Sequence, residues 1–272
     1  MSSNFQQDSI GQNRAIGVAV TIFTSIALYN ALELSVLIPL SFRAYRSLYF
    51  WSLSTSTVLG VIPTCLGTLF QYFALAPLWL SLLLQNIGFI CMVPTQSVVL
   101  YSRLHLITTN RRLLRFLKWL IIIDTTILLI PTVTLNFGSE YFPHSWPWVR
   151  SFDIIERLQI TWFSLQEMII SSVYIIETAR MIKISPKEDK KRNKILYELV
   201  GINIVAIGMD VALLILEFLG YYSTQIMLKA LVYSIKLKME FAVLGLLLSI
   251  VRAHPSGQRE FMSTDMSRVL SG

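Results

Sequence analysis

Long apolar stretches separated by short polar ones recur seven times along the chain, at about 16–40, 51–74, 80–101, 116–136, 154–180, 195–219 and 228–251. Each is long enough to cross ~30 Å of hydrocarbon as a helix, which takes roughly 20 residues. Inside a bilayer a segment must satisfy its own backbone polar groups, so the stretches predict helices. The expected fold is an all-α bundle of seven transmembrane helices over 16–251, with a polar amino-terminal tail at 1–15 and a carboxy-terminal tail at 252–272.

The polar positions inside these stretches are patterned. Asp210 and Glu217 lie seven apart in the sixth stretch, and Lys229 and Lys236 seven apart in the seventh. Seven residues is two helical turns, so a turn centred near Ser223 would set Glu217 level with Lys229 and Asp210 level with Lys236 on antiparallel helices. Unpaired charge in hydrocarbon costs at least a few kcal/mol, so such residues face a bundle interior and mark either a packing lock or a functional site. Glu33, Asp124, Glu167 and Glu240, with Asn30, Gln85, Asn86, Gln96 and Gln166, extend the buried polar set. Counting from the span ends puts Glu167 and Glu240 near the midplane and Asp124 and Glu33 toward the cytosolic half, where one cavity would reach all four. Glu240, four residues past Lys236, is spaced to share that lysine with Asp210.

Basic residues set the orientation. Arg43 and Arg46 follow the first span, Arg103, Arg111, Arg112, Arg115 and Lys118 the third, and a run from Arg180 to Lys194 the fifth, whereas the opposite face has Arg14, Arg150 and Arg157. The positive-inside rule then places the amino terminus outside or lumenal and the carboxyl terminus in the cytosol. The net charge of +7 is therefore mostly cytosolic, and contact with anionic headgroups explains it better than nucleic acid does. Arg103, Arg111 and Arg112 form the expected cytosolic basic face.

Composition agrees with a membrane protein: 54% of residues are hydrophobic and 14% charged, with a mean hydropathy of +0.60, against about a quarter charged in soluble domains. The first fifteen residues lack the basic start and apolar core of a cleavable signal peptide, so the first span is expected to act as an uncleaved anchor. Cys65 and Cys91 both fall inside spans, and neither a disulfide nor a metal pattern is expected. Pro39, Pro63, Pro94 and Pro131 lie in or beside spans, where they either kink helices or reflect the ordinary tolerance of membrane helices for proline. Gly201, Gly208 and Gly245, with the Ser/Thr run at 54–57, suit close helix packing. The aromatic stretch LNFGSEYFPHSWPWVRSFD is expected as a lumenal loop, forming either a lid or an interfacial belt.

A desolvated acid can be kept protonated and act as a proton donor. In a chain with 12% aromatics, such an acid would protonate an epoxide or alkene of an isoprenoid and hold the carbocation against ring faces. Buried acids serve equally as ligand anchors or conformational locks in seven-span receptors. Other chemistries fit less well. The third span offers no carboxylate counter-ion for a retinal Schiff base on Lys229 or Lys236, and His105, His144 and His254 lie near the surfaces, away from any hydrolase constellation.

Three stretches carry a resemblance: FRAYRSLYFWSL at 42–53, PTQSVVLYSRLHLI at 94–107 and QEMIISSVYIIETARMI at 166–182. With Gln96, Tyr101, Arg103 and His105 together at the end of the third span, the chain resembles a fungal family of seven-span integral membrane proteins, mostly without assigned function. Its members look like the membrane proteins of fungal secondary-metabolite gene clusters, including indole-diterpene clusters, where small seven-span proteins act as terpene cyclases. The resemblance implies a cofactor-free cyclase that protonates an epoxidised prenyl substrate. Glu33, Glu167 and Asp210 are its candidate acids, and Glu33 is favoured because no lysine partner is evident for it. Arg103 also resembles the arginine that closes the third span of G-protein-coupled receptors, although the chain has no Asn-Pro-x-x-Tyr in its last span. The competing expectation is a receptor-like or accessory protein without catalysis. Either reading expects membrane lipids and a lipophilic small molecule as partners, with the endoplasmic reticulum as default location and the plasma membrane as the alternative. Neither needs nucleic acid or a cofactor.

Overall fold

The computed structural model describes residues 2–41, 48–108, 110–141, 146–184, 190–219 and 222–253. Among these, seven helices account for nearly everything: α1 (Ser2–Ser41), α2 (Leu48–Tyr72), α3 (Leu78–Ile107), α4 (Arg111–Tyr141), α5 (Trp146–Ile184), α6 (Lys190–Phe218) and α7 (Tyr222–Ala253). Within them, the segments Gly17–Ser41, Leu48–Tyr72, Leu78–His105 and Asn193–Phe218 are long and apolar enough to cross a membrane. Consecutive helices pack on one another, α7 returns to α1, and α3 lies inward against α2, α4, α5 and α7. The main core draws on α1, α2, α3 and α7, with Leu34, Leu53, Met92 and Leu237 almost wholly buried.

Every helix starts before its apolar stretch, α1 and α5 by the most. α1 begins at Ser2, so the polar segment expected as a tail is part of the helix, and nothing in SSNFQQDSIGQNRA contains a proline to stop it. α5 begins at Trp146, with Pro147 in its first turn, where a missing N–H breaks no helical bond. The aromatic stretch expected as a loop is therefore mostly helix, with residues 142–145 outside the described residues. The Trp148 ring packs across Gly138, closing α4 on α5 where a side chain at 138 would collide.

α2 contains one π turn, Ser56–Val61, immediately before Pro63. A proline ring presses on the carbonyl four residues earlier, and the wider π turn accommodates it while turning the rest of the helix. Ser56 and Thr57 in that turn are fully buried, and the Ser56 hydroxyl reaches the Met92 carbonyl at 3.4 Å, as expected of the small polar run.

The glycines that matter for packing are others than those expected. A Cβ on Gly60 would lie 3.0 Å from Met92 Cα, one on Gly67 2.7 Å from Gln85 Cγ, and one on Gly88 2.6 Å from Thr64 N. These contacts are in one antiparallel register, so α2 and α3 approach backbone to backbone. Gly201, Gly208 and Gly245 would meet nothing within 4 Å, because they lie away from the buried face of their helices.

Candidate functional site: a buried ionic ladder

The buried positions of α6 are Leu196, Leu199, Asn203, Ala206, Asp210, Leu213 and Glu217, alternating steps of three and four. That is the stripe by which a helix faces its neighbours, and from Asn203 onward every seventh residue in it is polar. Asn203, Asp210 and Glu217 therefore lie in a line, and each meets a cation from another helix.

Nearest the Tyr222 end of α7, Glu217 faces Arg157 of α5 at 3.6 Å, while Lys229 of α7 faces Glu156 of α5 at 3.6 Å. In the middle, Lys236 of α7 donates to Glu167 Oε2 of α5 at 2.7 Å and to Asp210 Oδ1 of α6. Tyr233, one turn back on α7, directs its hydroxyl to the other Glu167 oxygen at 3.4 Å. Lys236, Glu167 and Asp210 are all between 1% and 3% exposed. Toward Ala253, Arg103 of α3 meets Glu240 of α7 through two nitrogens, each at 2.6 Å. The same guanidinium reaches Asn203 Oδ1 at 3.3 Å and lies 5.1 Å from the centre of the Tyr174 ring. Tyr49 of α2 donates to the Glu240 backbone carbonyl at 2.6 Å.

Several expectations change. Asp210 pairs with Lys236 as the mirror spacing predicts, but Glu217 and Lys229 each turn to α5, which supplies the adjacent pair Glu156 and Arg157. Glu240 binds Arg103 rather than sharing Lys236. Arg103 is therefore no part of a basic surface: it is 1% exposed, whereas Arg111 and Arg112 are exposed. Glu33 has a lysine partner after all, Lys238, at 2.6 Å. Lys238 also donates to Asn30 Oδ1 at 3.0 Å, and Asn30 reaches Ser234 at 3.3 Å, so this set joins α1 to α7. Both side chains of the Glu33–Lys238 pair are about a third exposed. Asp124 is buried on α4, and its Oδ2 has no hydrogen-bond partner among the described residues. Among those residues, neither Glu33 nor Asp124 is an ion-pair partner of the Glu167–Lys236–Asp210 set. Gln96 is 1% exposed, and its Oε1 has no hydrogen-bond partner among the described residues.

Sequence reasoning passed over Asn203, Tyr49 and Lys238. The seven-residue step from Glu217 through Asp210 leads directly to Asn203, so that residue was within reach. Lys238 was not, because its contact depends on how α1 returns against α7.

A bundle of long apolar helices, with most of its buried charge paired between them, defines a helical protein of the membrane-spanning class. The family model described as a domain of unknown function, DUF7703, matches residues 7–260, and the chain belongs to that family. No curated protein matches it.

Proposed function

We propose that the chain is a receptor-like seven-span membrane protein, with its amino terminus outside, that acts through helix rearrangement rather than catalysis. The contact between Arg103 and Glu240, braced by Asn203, carries this reading, because one buried ion pair links α3, α6 and α7. A buried pair is a weak source of net stability, yet it favours a discrete arrangement over intermediate ones. Breaking it and re-forming it is a two-state step that a lipophilic ligand in the bundle would bias. Crossing by all seven helices is supported by the lengths of α4, α5 and α7, at 31, 39 and 32 residues, and by the pairing of their charges within the bundle. The basic residues at the α3–α4 junction support the orientation.

A second reading rests on a different contact. Glu167 and Asp210 share a single lysine, an arrangement suited to acid donation, as in a cyclase of fungal secondary metabolism acting on an epoxidised prenyl substrate. Removing the gene from its source organism separates the two. The receptor-like reading expects an unchanged metabolite profile and an altered response to external cues. Accumulation of an uncyclised prenyl or epoxide precursor, reproduced by Glu167→Gln, would overturn it.

A further inference from the structure

The ladder is not electrically balanced. Its carboxylates are Glu156, Glu217, Glu167, Asp210 and Glu240, and its cations are Arg157, Lys229, Lys236 and Arg103. The tier near Tyr222 has two of each, and the single charge of Arg103 is matched by the single carboxylate of Glu240. The excess therefore falls on the middle tier, where two carboxyls flank one ammonium, each of the three groups no more than 4% exposed. Among the described residues, Tyr233 is the other titratable side chain in contact there, and it is a hydrogen-bond donor, not a cation. Glu240, one turn along α7, adds no positive charge. An uncompensated carboxylate so deeply buried is costly enough that it takes up a positive charge or neutralises.

We propose that the Lys236 site binds one exchangeable proton, carried on the Glu167 or the Asp210 carboxyl beside the lysine. The lysine Nζ already occupies the position between the two carboxyls, which favours a proton over a metal cation as the missing charge. Gln166, next to Glu167 on α5, gives a second and independent sign of unmet polarity at this depth: it is 2% exposed, and neither of its amide atoms has a hydrogen-bond partner among the described residues. Because the two carboxyls that can carry the proton lie on α5 and α6 and both face Lys236 of α7, gaining or losing it alters the attraction among three helices. The site follows from charge balance and holds whether the bundle signals or catalyses.

Infrared difference spectroscopy on the full chain in neutral liposomes tests this. At neutral pH the wild type is expected to show a protonated-carboxyl C=O band that shifts in D2O and disappears in Asp210→Asn or Glu167→Gln. The same band should be unaffected by exchanging sodium for a bulky organic cation at constant ionic strength. Thermal unfolding adds a second readout: each single amide variant should melt close to the wild type, because it mimics the protonated acid, while the double variant leaves Lys236 without a carboxylate and melts far lower. Absence of the band in the wild type would overturn the proposal, as would its loss only in Asp124→Asn. A band that appears only when sodium is withdrawn would mean that a metal cation fills the site instead.

Discussion

Arg103 makes contacts that no other side chain would reproduce. Its planar fork meets Glu240 through two nitrogens, reaches Asn203 and lies over Tyr174, so one residue ties together α3, α5, α6 and α7. Arg103→Ala would leave the Glu240 carboxylate buried and unpaired, and a loss of about 3–5 kcal/mol is expected. Replacing both partners by leucine should cost clearly less, since no charge is then stranded. Thermal unfolding in detergent micelles checks both, and a double variant as unstable as the single one would show that the loss comes from packing. At this scale the sequence was partly legible. The Asp210–Lys236 pair followed from spacing alone, because charges on consecutive antiparallel helices are related by the turn between them. Arg103 and Glu240 are separated by 137 positions, and no local period relates them.

The element scale separates glycines by what faces them. Gly88 lies where α3 presses on α2, and a Cβ there would sit 2.7 Å from the Gly60 carbonyl oxygen. Gly88→Leu is expected to destabilise by roughly 1–3 kcal/mol through forced separation of the two backbones. Gly201→Ala meets open space and should be neutral or gain up to about 1 kcal/mol from helix propensity. Melting curves of the two variants measured side by side check the assignment. The sequence pointed to Gly201, Gly208 and Gly245 as packing glycines, whereas Gly60, Gly67 and Gly88 are the crowded ones. Only the register of α2 against α3, set by the turn between Tyr72 and Leu78, distinguishes the crowded ones from the open ones. The same limit hid the π turn, since Pro63 signals a disturbance but not whether the helix kinks or widens. Helix existence, by contrast, was legible at nearly every stretch, because apolar length is sufficient to specify it. Helix ends were less so: α1 and α5 run on through polar and aromatic residues that the hydropathy pattern excluded.

For the whole molecule, the charges of α5 and α7 would be expensive in lipid if those helices stood alone, and they are tolerable because they pair with one another and with charges on α1, α3 and α6. The proposed seven crossings and outside amino terminus make a direct prediction. The chain has no Asn-x-Ser/Thr acceptor, so a new one introduced by insertion reports cleanly on its own site. An acceptor within 142–145 is expected to be glycosylated, and one within 185–189 is not. Modification at both or the reverse pattern, scored by gel mobility with and without glycosidase, would contradict the orientation.

The proposed switching requires that the buried ladder hold the helices in one arrangement of two. Its most direct test is the distance between spin labels at His105 of α3 and Lys194 of α6, both exposed, in a background without Cys65 and Cys91. Pulsed dipolar spectroscopy in liposomes should give one dominant distance for the wild type. Glu240→Gln, which keeps the shape and removes the charge, is expected to shift much of the population to a second, longer distance in protein that remains folded. An unchanged distribution in that variant would mean that the Arg103–Glu240 contact is packing alone and that the bundle is not poised between two states.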